Sequence, residues 1–293
     1  MLVCDGLSKD YGDQNGLFDC NLKIEKGEVF GLIGPNGAGK STLIKLLMDL
    51  VKPTSGTAQI FGKDSQRDSL ELKRIIGYLP GEMMYFPGVT AKYILKLMMN
   101  LRGHNDHSEI LRLSERLQLD LNRKFQDLSH GNKQKLGLIQ AFMHKPQLLI
   151  LDEPTLGLDP LIQRELQAII KEYVAVGNTV ILSSHVLSEI EAICDRIGLI
   201  DNGQIVKVGT LSELRSSRVH MVRAVFEGPL PSLDELNSRK VESISIDGST
   251  ISFQVRGSFD AVAKLLASYR VLELDSRELS LQEVFFSEVS SAL

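Results

Sequence analysis

Cysteine is scarce in this 293-residue chain, and the three that occur, Cys4, Cys20 and Cys194, lie far apart. No CxxC pair is present. An odd number of well-separated cysteines argues against a disulfide framework or a zinc site. It favours a reducing compartment.

Long apolar segments are missing as well. No apolar run approaches the roughly 18 residues that a membrane span requires. The opening stretch MLVCDGLSKDYG carries a charge where a signal peptide would have its apolar core. We therefore expect a soluble chain, or one that is held at the membrane by a partner protein.

A strong positive charge is also absent, since the formal net charge is −4. Broad nucleic-acid binding needs a concentrated basic face, and the pair Lys133 and Lys135 is too small to supply one. We therefore expect no nucleic-acid partner. The chain also has no internal repeat and no low-complexity tract.

Short apolar strands alternate with helical patterns, which is typical of a mostly parallel sheet covered by helices. The continuous apolar runs EVFGLIG (28–34), QLLILDE (147–153) and TVILSS (179–184) predict buried parallel strands. Residues 2–25 and 56–62 alternate more regularly and predict an antiparallel, β-rich flank. The fold class is therefore α/β with a mixed sheet.

Residues 90–145 contain three helical stretches in a row, with no strand between them. We interpret them as a helical subdomain of about 84–145 inserted between strands.

The character of the chain changes again near residue 217. The segment VESISIDGSTISFQV alternates on both sides of Asp247-Gly248, which predicts a hairpin. With the flanking strands and helices, the order β-α-β-β-α-β suggests a small ferredoxin-like α+β domain at 218–293, after a first domain at 1–217. It would bind a regulator or brace a dimer, or it would simply shield a sheet edge.

The stretch GPNGAGKS fits the phosphate-binding pattern G-x-x-x-x-G-K-[ST], with Gly34, Gly39, Lys40 and Ser41 at the fixed positions. A strand leads into it and a helix leaves it, as the pattern requires. Glycines let backbone N–H groups wrap phosphates without Cβ clashes. Lys40 would contact the β- and γ-phosphates, and the Ser41 hydroxyl would hold Mg²⁺. The alternative is an ordinary glycine-rich turn before a helix.

The strand LLIL ends in two carboxylates, Asp152 and Glu153. Carboxylates beside a buried strand are costly to desolvate unless something compensates, and Mg²⁺ on Asp152 would do so. Glu153 would turn toward the γ-phosphate and polarise an attacking water as general base. The alternative is a helix cap or a loop salt bridge.

The stretch LSHGN at 128–132 has a serine and a glycine at the start of a predicted helix. The first backbone N–H groups of a helix have no partner and attract anions. By itself the stretch could equally be a helix with an ordinary serine cap. It leaves open why one chain would need a second anion site.

With these residues in place, residues 1–215 resemble the nucleotide-binding domain of the ABC (ATP-binding cassette) family. GPNGAGKST resembles its Walker A motif, LLILDEP its Walker B motif with the catalytic glutamate, and LSHGN its LSGGQ signature. GLD at 157–159 resembles the D-loop, His185 the switch histidine, and Tyr11 the aromatic that stacks on adenine. A P-loop NTPase fold of ABC type follows from the resemblance.

The resemblance implies ATP and Mg²⁺ as cofactors, with Glu153 and His185 catalytic and Ser41 and Asp152 holding the metal. It also explains the second anion site, because two cassettes of this family meet head to tail. Ser129 and Gly131 would then cover the nucleotide of the other copy. The residues implied in nucleotide binding are Tyr11, Gly34, Pro35, Asn36, Gly37, Ala38, Gly39, Lys40, Ser41, Thr42, Asp152, Ser129 and Gly131.

Two positions depart from the family pattern. Gly81, in IIGYLPGE, stands where the family has a glutamine that senses Mg²⁺, so no side-chain amide is expected to ligate the metal there. His130 and Asn132 replace residues of the signature, while Ser129 and Gly131 remain.

The resemblance implies an ATP-hydrolysing subunit that powers a membrane transporter through ATP-driven dimer closure. Its partners would be a second copy or a paralogous cassette and a separate transmembrane permease. It would be cytoplasmic, peripheral on the inner face of the cell membrane. The run LSHGNKQKLGLIQAFMHKPQLLILDEP (128–154), the LPGE turn and the tail SRELSLQEVFF most resemble the exporter branch, which moves drugs, peptides or polysaccharides. The alternatives are a soluble ABC ATPase acting on ribosomes or DNA, and a ligand-regulated ATP sensor.

Overall fold

The computed structural model describes residues 1–83, 88–104, 106–216, 219–237, 241–256 and 259–278. The chain divides into two compact units, Met1–Thr210 and Leu211–Leu293. This boundary lies seven residues before the one expected from the sequence at 217/218.

The first unit contains ten strands, seven α-helices and a short 3₁₀ helix (Phe125–Asp127) among the described residues. In chain order they are β1 (Leu2–Asp10), β2 (Gly16–Ile24), β3 (Val29–Ile33), α1 (Lys40–Leu47), β4 (Ser55–Ile60), β5 (Lys63–Asp64), α2 (Ser69–Ile75), β6 (Ile76–Leu79), α3 (Ala91–Leu101), α4 (Ser108–Arg116), α5 (His130–Phe142), β7 (Leu148–Leu151), α6 (Pro160–Ala175), β8 (Thr179–Ser184), α7 (Leu187–Glu191), β9 (Arg196–Asp201) and β10 (Gln204–Thr210).

The central sheet has six strands in the order β10-β9-β3-β8-β7-β6. All neighbours pair in parallel except β10, which is an antiparallel edge strand. Every residue of β3, β7 and β8 is buried, because their continuous apolar runs face covering layers on both sides. The predicted buried parallel strands are confirmed.

The register of these strands sets the position of the loops that follow them. Ile33 of β3 pairs with Ser184 of β8, while Leu151 of β7 lies beside Leu182 of β8 and Leu79 of β6. The carboxyl ends of four parallel strands therefore share one edge, which is where open α/β sheets bind their ligands.

A second sheet, of order β2-β1-β4-β5, is antiparallel throughout and confirms the predicted flank. Helix α1 buries Leu43, Ile44, Leu46 and Leu47 in a cluster that also contains core residues of both sheets. This packing fixes the helix that follows the 34–39 loop.

Helices α3, α4 and α5 follow one another between β6 and β7, as the sequence predicts for an inserted helical region. Residues 84–87 and 105 of the expected 84–145 segment lie outside the described residues. The Thr90 hydroxyl caps α3 by accepting from the Tyr93 N–H at 3.2 Å.

The second unit contains α8 (Leu211–Ser216), β11 (Val219–Phe226), α9 (Leu233–Asn237), β12 (Val241–Asp247), β13 (Thr250–Arg256), α10 (Asp260–Leu266) and β14 (Val271–Glu278). From β11 onward the order is β-α-β-β-α-β, as predicted, in an antiparallel sheet of order β12-β13-β11-β14. The β12–β13 hairpin turns at Asp247 and Gly248. The second unit has a hydrophobic core of its own, which includes Val222, Phe253 and Leu265. The predicted ferredoxin-like arrangement is confirmed. Most of the tail SRELSLQEVFF lies outside the described residues.

We expect one buried histidine to make stability depend on pH. His144, just after α5, donates from Nε2 to the Ile76 carbonyl at 3.2 Å, and burial with Arg102 nearby lowers its pKa from 6.5 to about 4. Between pH 6.5 and 4 the unfolded chain binds the proton more tightly, so stability falls as pH falls, by up to about 3 kcal/mol. Urea unfolding across this range should show a flatter pH dependence for His144→Gln. His130→Gln, at an exposed position, should keep the wild-type dependence. Parallel curves for His144→Gln and wild type would contradict the assignment.

Candidate active site

The segment 34–39 joins β3 to α1 and leaves no room for side chains at its key glycine. An added Cβ at Gly34 would lie 2.1 Å from the Ile200 carbonyl oxygen. Gly37 and Gly39 have left-handed φ angles of 83° and 105°. Helix α1 then begins at Lys40 without a side-chain cap, so its first N–H groups remain available to an anion.

The other predicted residues of this loop complete the same structure. Pro35 accepts a hydrogen bond from the N–H of the buried Ala38 at 3.2 Å, with Asn36 and Gly37 in the turn between them. Ser41 and Thr42 lie in the first turn of α1. The loop thus brings together its nine predicted residues, 34–42.

Lys40 is buried at the centre of this loop, with 6% of its surface exposed. Its Nζ donates to the Gly34 carbonyl at 2.7 Å and the Pro35 carbonyl at 3.1 Å, and lies 3.6 Å from Glu153 Oε1. A buried ammonium this close to the uncapped start of α1 gives the loop a concentrated positive field, which suits phosphate.

The two carboxylates at the end of β7 are held differently. Asp152 is buried, with its Oδ1 accepting from the Ser183 hydroxyl at 2.6 Å. The same hydroxyl oxygen accepts from the Glu153 N–H at 2.9 Å. Ser183, at the end of β8, therefore ties both carboxylate residues to the neighbouring strand.

Glu153 has a left-handed backbone, with φ 49°, which turns its side chain out of the strand's alternation. Its Oε2 accepts a hydrogen bond from His185 Nδ1 at 2.9 Å, while Oε1 faces Lys40. The expected group of Lys40, Asp152, Glu153 and His185 is therefore assembled at one edge of the sheet.

Ser129 and Gly131 lie at the start of α5. The Ser129 hydroxyl accepts from the Asn132 N–H at 3.3 Å, so it caps the helix as the plain interpretation of LSHGN predicts. Both Ser129 and His130 are exposed. No hydrogen bond or ion pair joins residues 129–131 to the 34–42 loop within the described part of the chain. The structure of a single chain therefore keeps the two anion sites separate.

The D-loop candidate 157–159 lies against this helix start. An added Cβ at Gly157 would lie 2.5 Å from His130 Cδ2, and one at Gly131 would lie 2.4 Å from the Gly157 carbonyl oxygen. Asp159 caps α6 by accepting from the N–H groups of Leu161 and Ile162. Glycine at 131 is thus required by close backbone approach, and glycine at 157 by its left-handed φ of 75°.

Tyr11 is 53% exposed in the turn between β1 and β2, with Lys9 Nζ 5.4 Å from its ring centroid. A groove of about 470 Å³ beside this turn is lined by Asp10, Asp13, Gln14, Phe18, Asn202 and Gln204. Its aromatic wall is Phe18, which the sequence analysis missed. The groove borders the phosphate loop, because Gly203 bonds both Phe18 and Ala38 through the backbone.

Gly81 follows β6, close to the buried carboxylate. A Cβ added there would lie 3.5 Å from Asp152 Oδ2, which is an ordinary contact distance. A side chain would therefore fit at position 81, and the missing glutamine is not a steric requirement of the backbone.

The site also fits a magnesium ion, which prefers oxygen ligands and usually completes its shell with water and phosphate. Asp152 Oδ2 and the Ser41 hydroxyl are oxygen donors at the same edge. Among the described residues no group of three or more His, Cys, Asp or Glu side chains could hold a metal alone.

Besides Phe18, the sequence analysis missed three residues that support the site. Ser183 supports the two carboxylates, Gln134 donates to the Glu153 carbonyl at 2.9 Å, and Glu189 accepts from Thr155 and Ser184. The only available signal was the pair of serines that ends the apolar run TVILSS.

Comparison with known proteins agrees with this geometry. Residues 17–156 match the family described as ABC transporter. The chain is 36% identical over 221 residues to the linearmycin resistance ATP-binding protein LnrL of Bacillus subtilis (strain 168), covering 74% of this chain and 71% of that protein. It is 40% identical over 208 residues to the lantibiotic transport ATP-binding protein SrtF of Streptococcus pyogenes, covering 70% of this chain and 89% of that protein.

A solved structure is similar over the same region. It is a dimeric, post-hydrolysis state of the ATP-binding cassette MJ0796 bound to ADP and Pi, with a TM-score of 0.66 and 25% identity. The match covers 72% of this chain and 99% of that chain.

We expect Ser183 to stabilise the site measurably. Ser183→Ala removes the donor to a buried carboxylate and the acceptor for the Glu153 N–H, and hydrogen bonds to charged groups are worth about 1.5–3 kcal/mol. Urea unfolding should show a loss of about this size, whereas Ser55→Ala, at an exposed position of β4, should change stability by less than about 0.5 kcal/mol. Equal stability of the two variants would contradict the role of Ser183.

Proposed function

The chain belongs to the ABC transporter family, and from this premise we propose that it is the energy-supplying subunit of an exporter whose membrane-spanning part is a separate polypeptide. It binds ATP and is an ATPase. The observation that carries the proposal is the convergence of Lys40, Asp152, Glu153 and His185 on one sheet edge beside the glycine loop. These groups cover phosphate binding, charge neutralisation and proton transfer.

The proposed hydrolysis step assigns one task to each group. The backbone N–H groups of 37–42 and Lys40 Nζ hold the β- and γ-phosphates. Glu153 accepts a proton from water as the water oxygen bonds to the γ-phosphorus and the bond to the β–γ bridging oxygen breaks, releasing ADP and phosphate. His185 hydrogen-bonds the γ-phosphate and orients the water.

Ser41 and Asp152 would hold Mg²⁺. When bound, this ion would neutralise phosphate charge during the transfer. The Ser183 hydroxyl occupies Asp152 Oδ1 and leaves Oδ2 for this purpose. Because Gly81 offers no side chain, we assign no protein ligand to position 81.

Base recognition is proposed at the groove beside the β1–β2 turn. Tyr11, exposed in the neighbouring turn, would stack on adenine, and Phe18 supplies the aromatic wall of the groove. Aromatic faces of this kind favour flat rings.

Cassettes of this family act as dimers with a membrane partner. We propose that two copies, or this chain and a paralogous cassette, meet so that Ser129 and Gly131 of one contact the γ-phosphate held by the other. The separation of the two anion sites within one chain supports this arrangement. ATP would bind the closed pair better than the open one and so shift the population toward closure.

Among the described residues, none of the helices is both long and apolar enough to cross a bilayer. We propose a location on the inner face of the cell membrane, where the helical region would transmit closure to a transmembrane permease. Two relatives are named for linearmycin resistance and lantibiotic transport. These names support export, with antibiotic-type cargo, over action on ribosomes or DNA.

We further propose that residues 1–217 form the nucleotide-binding domain and 218–293 an accessory domain. The accessory domain would bind a regulator, brace the dimer or shield a sheet edge.

Glu153→Gln tests the hydrolysis step. Losing the general base should slow phosphate release by about 10²–10⁴-fold while nucleotide binding persists. The variant should therefore accumulate as a dimer in millimolar ATP, measured by light scattering on a sizing column. Adding Lys40→Ala should abolish that dimer, because it weakens the grip on the phosphates. Normal turnover by Glu153→Gln would remove Glu153 from the mechanism.

Isolation of the chain from detergent-solubilised native membranes tests the transport assignment. We expect a multi-span membrane protein to co-purify in a fixed ratio, and mass spectrometry would identify it. Recovery of ribosomal proteins instead, with no membrane protein, would support the ribosome-acting alternative.

A further inference from the structure

A buried glutamine of α5 contacts the backbone of Glu153. Gln134, the fifth residue of α5, is 4% exposed, and its Nε2 donates to the Glu153 carbonyl oxygen at 2.9 Å. Burying a side-chain amide is costly unless it is hydrogen-bonded, so this contact fixes the amide in one orientation.

The peptide that receives this bond is in an unusual conformation. Glu153 has φ 49°, a left-handed value that non-glycine residues adopt only when their surroundings impose it. Its N–H is held by Ser183 Oγ at 2.9 Å, and its carbonyl also accepts from the Leu156 N–H at 3.2 Å. Of these three hydrogen bonds, the one from Gln134 is the one whose donor lies in the helical region.

The same helix touches the same segment a second time. At its start, Gly131 approaches the Gly157 carbonyl so closely that a Cβ would lie 2.4 Å from that oxygen, and the His130 ring lies over Gly157. Helix α5 therefore contacts residues 153–157 at two points, one at its start and one at Gln134.

We propose that Gln134 is a positioning residue for Glu153, which couples the orientation of that carboxylate to the position of the LSHGN segment. When the nucleotide of the second copy contacts Ser129 and Gly131, helix α5 changes position. Gln134 transmits this change to the backbone of Glu153. The inference depends on the proposed role of Glu153 as general base.

Gln134→Met tests the proposal, because methionine keeps the length and volume of the side chain but lacks the N–H donor. We expect the kcat for ATP hydrolysis to fall about 10–100-fold, since a misplacement of about 1 Å can cost two orders of magnitude. The KM and the affinity for a fluorescent ATP analogue should stay within about threefold of wild type.

Gln140→Met is the matched control, because it makes the same change on the same helix. Among the described residues no hydrogen bond joins the Gln140 side chain to Glu153, which bonds Gln134 instead, so this variant should keep the wild-type kcat. Unfolding midpoints of both variants show whether the helix is intact. Should Gln134→Met fail to fold, Gln134→Leu also lacks the donor and should show the same selective loss of kcat.

A second measurement separates positioning from general damage. In the Glu153→Gln background, residual hydrolysis under single-turnover conditions should fall by less than about threefold on adding Gln134→Met. A further 10–100-fold loss there would show that Gln134 does not act through Glu153. A wild-type kcat for Gln134→Met, with Glu153→Gln impaired, would overturn this inference alone, whereas full activity of Glu153→Gln would overturn the proposed function.

Discussion

The parallel register of β3, β8, β7 and β6 is the constraint on which the site depends. Because these strands end at one edge, the glycine loop after β3, the carboxylates after β7 and His185 after β8 meet without any long loop. Lys40 and Glu153, about 110 positions apart in the chain, thus form an ion pair, and Glu153 and His185, about 30 apart, form a hydrogen bond. The buried strands that hold this register were also the clearest signal in the sequence, since both depend on continuous apolar runs.

The sequence predicted those features that depend on the spacing of residues within one short segment. The glycine loop, the end of β7, the serine cap of α5 and the Asp247-Gly248 hairpin all follow from short stretches of sequence. Ser183, Gln134 and Phe18 do not, because their contacts join segments far apart and leave no period or motif behind. The left-handed turn at Glu153 was equally invisible, since glutamate has no special preference for it and tertiary contacts impose it.

Polar contacts at the sheet edge form a connected set around Asp152 and Glu153. Ser183 ties the two residues to β8, Gln134 ties one of them to α5, and Glu189 fixes Thr155 and Ser184 nearby. The contacts come from three separate elements, so the segment after β7 has little freedom to move independently. A site organised this way relies on rigid body position more than on loop closure.

The backbone of Glu153 restricts which residues can occupy that position, independently of chemistry. A β-branched side chain at φ 49° would clash with its own main chain, whereas asparagine and glycine tolerate this region. Substitutions at this position are therefore limited by the backbone conformation as well as by the chemistry that the side chain must perform. An inactive variant for trapping or imaging is therefore best made with a residue whose side chain is unbranched at Cβ. A loss of hydrolysis in such a variant then reflects the missing carboxylate and not a distorted backbone.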